Sequence, residues 1–109
     1  MKVKDRWRYL LVCIHVGGAG VTREALCSAI INGLHSLYGD WGLSRSKLLF
    51  FDYNPKKSLL VLRCAHKSIL MVRAAIAMVY NIEGGKALLH VKKITGTLKK
   101  ARKILEENN

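Results

Sequence analysis

Acidic residues are what this 109-residue chain has least of: seven Asp and Glu stand against nineteen Lys and Arg, a formal net charge of +12. The shortage is uneven. From Lys86 to Lys103 there is no acidic residue, while Lys86, Lys92, Lys93, Lys99, Lys100, Arg102 and Lys103 fall in that span. A second basic group, Lys2, Lys4, Arg6 and Arg8, opens the chain with only Asp5 against it. So much charge of one sign repels itself unless a polyanion offsets it, which points to nucleic acid, an anionic membrane surface or an acidic protein. Apolar residues make up 50% of the sequence, enough to bury a core, so a disordered basic tail is excluded.

Catalytic and metal-binding sets are also scarce. No Ser-His-Asp pattern, paired carboxylates or phosphate-cradling glycine loop can be picked out. The three cysteines, Cys13, Cys27 and Cys64, are odd in number and widely spaced, and none forms a C-x-x-C pair. Their apolar surroundings predict buried, reduced thiols rather than disulfides. No stretch approaches the ~20 apolar residues that span a membrane, so no membrane partner is expected. Lys2 to Arg8, the apolar run from Tyr9 to Val16 and the glycines after it have the outline of a signal peptide. The run is short and contains His15, and it reads better as a core strand.

The length allows one domain, residues 1–109, with one core. Tyr9 to Val16 predicts a central strand. Thr22 is an N-cap, Glu24 suits the first turn, and Leu26, Ile30, Leu34 and Leu37 hold helical spacing as far as Tyr38. Gly39-Asp40-Trp41-Gly42 is read as the stop. Leu48 to Tyr53 and Leu59 to Ala65 predict a hairpin turned by Asn54-Pro55-Lys56-Lys57. Lys67 to Tyr80 predicts a second helix ended by Gly84-Gly85, Ala87 to Ile94 a fourth strand, and Leu98 to about Glu107 a basic third helix. The order βαββαβ predicts an α+β fold, a ferredoxin-like two-layer sandwich with an added C-terminal helix. Leu98, Ala101 and Leu105 give that helix a narrow apolar stripe, which must pack on the sheet's open face, an edge or a partner.

RNA-recognition modules share this topology but stack bases on aromatics of the two central strands. The third strand, Leu59 to Ala65, has none, and the first offers only Tyr9 near its start. RNA would then be held by charge and shape. The candidate contacts are Lys2, Lys4, Arg6 and Arg8 at the start, and Lys92, Lys93, Lys99, Lys100, Arg102 and Lys103 towards the end. Thr95-Gly96-Thr97 joins the last strand to the basic helix. Gly96 suits a sharp turn, and Thr97 can cap the helix or leave its free N–H groups to a phosphate. Cys13-His15 and Cys64-His66 suggest a zinc test, but zinc cysteines are usually spaced by two to four residues, and buried Cys with half-exposed His is the better account. His15 and His90 on neighbouring strands, with Lys92 nearby, would suit a metal-free ribonuclease, yet nothing in the sequence fixes their geometry. No catalytic residue and no metal ligand is assigned.

Taken together these segments resemble the Pop-five subunits of ribonuclease P and MRP. Arg8-Tyr9-Leu10-Leu11 is similar to the family's opening. Gly39, Leu62-Arg63-Cys64, Val72-Arg73-Ala74-Ala75 and Gly85 fall in its order, and Ile94-Thr95-Gly96-Thr97-Leu98-Lys99-Lys100 resembles its Ser-Gly-Thr-Ile signature and basic helix. Thr95 stands where many members have Ser, and the long acidic tail of some members is not present. The resemblance implies a noncatalytic, RNA-binding subunit that helps to order the catalytic RNA during 5′ maturation of precursor tRNA. It implies contact with the ribonuclease P or MRP RNA, indirect contact with precursor tRNA, and a TIM-barrel-like protein partner. It also implies no cofactor on the protein, with Mg2+ belonging to the RNA, and a nuclear, nucleolar location in a eukaryote or a cytoplasmic one in an archaeon. The alternative is a small basic nucleic-acid- or ribosome-associated protein of the same fold.

Overall fold

A computed structural model describes residues 6–17 and 20–107. In chain order the elements are β1 (Trp7–Val16), α1 (Arg23–Ser46), β2 (Leu49–Asn54) and β3 (Leu59–Ala65), followed by a 3₁₀ turn (His66–Ser68). Then come α2 (Ile69–Met78), β4 (Asn81–Ile82), β5 (Gly85–Thr95) and α3 (Leu98–Glu106). The strands form one sheet in the order β2-β3-β1-β5-β4, every neighbouring pair antiparallel.

The near-continuous apolar runs of β1 and β3 follow from burial on both faces. Leu10, Val12 and Ile14 of β1 and Leu60, Leu62 and Cys64 of β3 pack against Leu26 and Ile30 of α1 and Val72 and Ile76 of α2. The alternate residues, Leu11, Leu59 and Val61, meet Ala101 and Leu105 of α3. Burial of each such large side chain contributes roughly 1.5–3 kcal/mol. The helix with the narrow stripe therefore covers the second face, and the expected two-layer sandwich is amended to a sheet with helices on both sides. β5 is covered mainly on one face: Leu89 joins the core with α1 and α2, whereas Leu88, His90, Lys92 and Lys93 are exposed.

The strands differ from the sequence reading by one or two residues at their ends, and the helices differ more. α1 does not stop at Tyr38. The backbone turns at Gly39 (φ 66°, ψ −160°) and resumes as helix to Ser46, so the two glycines kink the helix instead of ending it. α2 begins at Ile69 after the 3₁₀ turn and ends at Met78, because Asn81–Ile82 pairs with Gly85–Lys86 as a short edge hairpin. Thr22 caps α1 as expected, its hydroxyl accepting from the Ala25 N–H at 3.2 Å.

Candidate nucleic-acid interface

The basic helix is anchored at both ends. At its start Thr97 Oγ1 accepts from the Lys100 N–H at 3.2 Å. The buried Thr95 hydroxyl donates to the Thr97 carbonyl at 2.9 Å, which ties the strand end to the cap. At its end Lys57 Nζ donates to the Leu105 carbonyl at 2.8 Å and also to the Glu107 carbonyl. A cation there satisfies orphan carbonyls and complements the helix dipole. α3 thus crosses the sheet from the end of β5 to β2.

Apolar contacts fix which way α3 faces. With Ala101 and Leu105 buried against the sheet, Lys99, Lys100, Arg102 and Lys103 are exposed. Lys93, opposite Leu11 in the β1–β5 ladder, projects on the same side of the sheet. Arg102 is committed within the chain: its Nε donates to Asp52 at 2.7 Å and an Nη to the other carboxylate oxygen at 3.4 Å. That hydrogen bond first, and the charge of Asp52 second, raise the Arg102 pKa. Among the described residues no carboxylate pairs with Lys99, Lys100 or Lys103, so the lysines carry the unpaired charge of this helix.

The other predicted contacts are scattered. Lys2 and Lys4 lie outside the described residues. Arg6 is exposed, and the half-buried Arg8 turns an Nη to the Trp7 carbonyl at 2.8 Å. Lys92 falls where a bulge shifts the β1–β5 register, between the partners of Leu11 and Val12. Gly96 is exposed, is not in the left-handed region, and has open space where a Cβ would stand. The expected need for a glycine at that turn is therefore not met by the geometry. The cap at Thr97 is. Thr97→Ala should lower stability by about 1 kcal/mol, with Thr97→Ser close to the parent in urea melts. An unchanged midpoint for the alanine variant would remove the cap from the account.

Sequence reasoning missed a cationic-aromatic group on the same face. The Arg63 guanidinium lies 4.0 Å from the centroid of Trp7 and 5.8 Å from that of Phe51, and Tyr9 tilts against Phe51 at 5.8 Å. The Arg63 Nε is buried without a hydrogen-bond partner among the described residues. Alternation along β1 and β3 carried the signal, since Trp7, Tyr9 and Arg63 share parity with Leu11 and Val61.

The histidines behave as neighbouring strands require. His15 and His90 stack with centroids 5.4 Å apart and an interplanar angle of 14°. Cys13 and Cys64, by contrast, are kept apart: Cys13 is opposite Leu59, Cys64 is opposite Arg8, and they point to different faces. No Cys13-His15-Cys64-His66 set forms.

The chain is similar to known proteins of ribonuclease P and MRP. "Ribonuclease P protein component 2" of Methanosarcina barkeri is 27% identical over 81% of this chain, and the match spans 64% of that protein. The protein of the same name from Thermococcus kodakarensis is 26% identical over 96% of this chain and 88% of its own length. A chain in the cryo-EM structure of yeast ribonuclease MRP shares the fold, with a TM-score of 0.72, 14% identity and coverage of 97% of this chain and 93% of that one. Residues 8–106, from the start of β1 to the end of the basic helix, match the Rpp14/Pop5 family model, and the chain belongs to that family of ribonuclease P and MRP subunits.

Proposed function

We propose that the chain is a noncatalytic RNA-binding subunit of a ribonuclease P-type ribonucleoprotein, and of MRP where that particle exists. On this reading it helps to order the catalytic RNA that matures the 5′ ends of precursor tRNA. The observation that carries the reading is the fixed orientation of α3. Its apolar side is locked to the sheet, so Lys99, Lys100 and Lys103 face outward beside Lys93 with no acid between Lys86 and Lys103. Such a surface holds phosphates through charge and releases counterions.

The sheet order β2-β3-β1-β5 supports a ferredoxin-like core with β4 and α3 added. α3 lies over the central strands where an RNA-recognition module would stack bases, which favours backbone contact over base reading. Magnesium is assigned to the RNA. Among the described residues the one close group of three metal-ligand side chains is a cysteine with two histidines, whereas magnesium takes oxygen donors. The TIM-barrel-like protein partner belongs to the same proposal, as does a nucleolar or cytoplasmic location set by the host. No described helix is long and apolar enough to cross a membrane.

Tagged chain recovered from its host should bring down one large RNA together with magnesium-dependent precursor-tRNA cleavage. Stripped of RNA, the chain should leave precursor tRNA uncut. Cleavage by RNA-free protein that disappears in His15→Ala would overturn the assignment, and recovery of ribosomal RNA alone would move the protein to a ribosome-associated role.

A further inference from the structure

The β1–β5 register places Cys13 directly opposite His90, and His15 follows two residues along on the same face. One ligand atom from each of the three residues lies within 4.8 Å of the others. Nothing in the RNA-binding reading uses them. Cys13 Sγ is 3.6 Å from His15 Nε2. A tetrahedral zinc with Zn–S of about 2.3 Å and Zn–N of about 2.0–2.1 Å sets sulfur and nitrogen about 3.6 Å apart, so this edge of the site is already at its working length. The equivalent N···N edge is about 3.4 Å. The two imidazoles lie stacked with centroids 5.4 Å apart, so binding requires the exposed His90 ring to turn out of the stack towards the shared metal. Cys13 is half-buried against the cluster under α3, whereas His15 and His90 are exposed, so the group opens to solvent on its histidine side.

We infer that Cys13, His15 and His90 form a binding site for a zinc-class divalent cation, with water from solvent as the fourth ligand. One thiolate and two imidazoles are donors that suit zinc and its neighbours and not magnesium or calcium. Cys13 loses its proton to solvent on binding, and the resulting anion offsets half of the metal's charge close to the exposed Lys92 and Lys93. The other thiols do not compete. Burial pushes Cys64 up to about 11 and raises Cys27 as well, and both pack into the core. The inference concerns the free chain and stands whether or not the RNA assignment holds.

Cobalt(II) is the probe, titrated into full-length reduced protein free of RNA. One equivalent should give a thiolate-to-cobalt charge-transfer band and visible d–d bands of a four-coordinate ion, both abolished by added zinc. Cys13→Ser should remove the charge-transfer band. His15→Ala and His90→Ala, at exposed positions that leave the core intact, should each weaken binding by about tenfold or more. His66→Ala, an exposed histidine outside the group, should titrate like the parent. A titration with no thiolate band, or one unaltered in both His15→Ala and His90→Ala, would reduce the trio to a thiol–imidazole hydrogen bond beside a stacked ring and overturn the site.

Discussion

Lys99→Ala combined with Lys103→Ala should weaken RNA binding about 15- to 30-fold near 0.15 M salt, for every RNA tried. Each phosphate contact contributes a slope of about 0.9 on duplex and 0.7 on single strands in the dependence of log affinity on log salt. Two lost contacts flatten the slope by about 1.4–1.8, and at 0.15 M that corresponds to the stated range. Both side chains are exposed on α3, and among the described residues neither makes an ion pair of the kind that holds Arg102 to Asp52. Their removal should leave the melting midpoint near the parent's. Lys67→Ala with Arg73→Ala removes the same charge from the 3₁₀ turn and α2, on the other side of the sheet, and should leave the slope close to the parent value. If the two pairs behave alike, net charge rather than the α3 surface governs affinity, and the interface must be sought elsewhere.

How much of this was legible beforehand depended on whether a feature is local. Thr22 and Thr97 were found as caps because a cap needs one hydroxyl and the next three residues. The strands of the core announced themselves as apolar runs, the first ended by Gly17-Gly18 and the third opened by the turn at Asn54-Pro55. The stripe Leu98, Ala101, Leu105 showed that α3 is amphipathic, but not where it lands. That destination depends on Leu11, Leu59 and Val61, residues distant in sequence that read as ordinary strand interior. β4 was missed because two residues, Asn81 and Ile82, become a strand only by pairing with Gly85 and Lys86. The pairing of β1 with the last strand was expected, and His15 with His90 followed from it. The set Cys13, His15, Cys64 and His66 was weighed and set aside, but the place of Cys13 opposite His90 was not legible, because spacing along one strand says nothing about register across two. Here a bulge between Leu11 and Val12 decides that Cys13 meets His90. Arg63 escaped notice for the same reason, since its partners Trp7 and Phe51 come from two other strands.

Gly39 and Gly42 lead to the second large effect, on stability. Gly39 sits at φ 66°, ψ −160°, a region essentially reserved for glycine, so Gly39→Ala should cost about 1–3 kcal/mol. The turn it makes folds the next helical segment back on Tyr38. A Cβ added at the buried Gly42 would lie 2.3 Å from the Tyr38 Cβ, an atom fixed to the backbone that cannot swing aside. Gly42→Ala must therefore displace main chain, at about 1–3 kcal/mol or somewhat more. The whole domain holds only about 5–15 kcal/mol. The segment after the kink is also tied to the start of α2 through the Ser68 hydroxyl, which donates to the Arg45 carbonyl at 3.2 Å. Straightening the kink relieves both alanines at once and breaks this tie. Double-mutant cycles in urea should consequently show the two losses to be less than additive, by at least about 0.5 kcal/mol. Gly42→Ala within about 0.5 kcal/mol of the parent, the range of an ordinary surface change, would mean that the kink is not held against Tyr38.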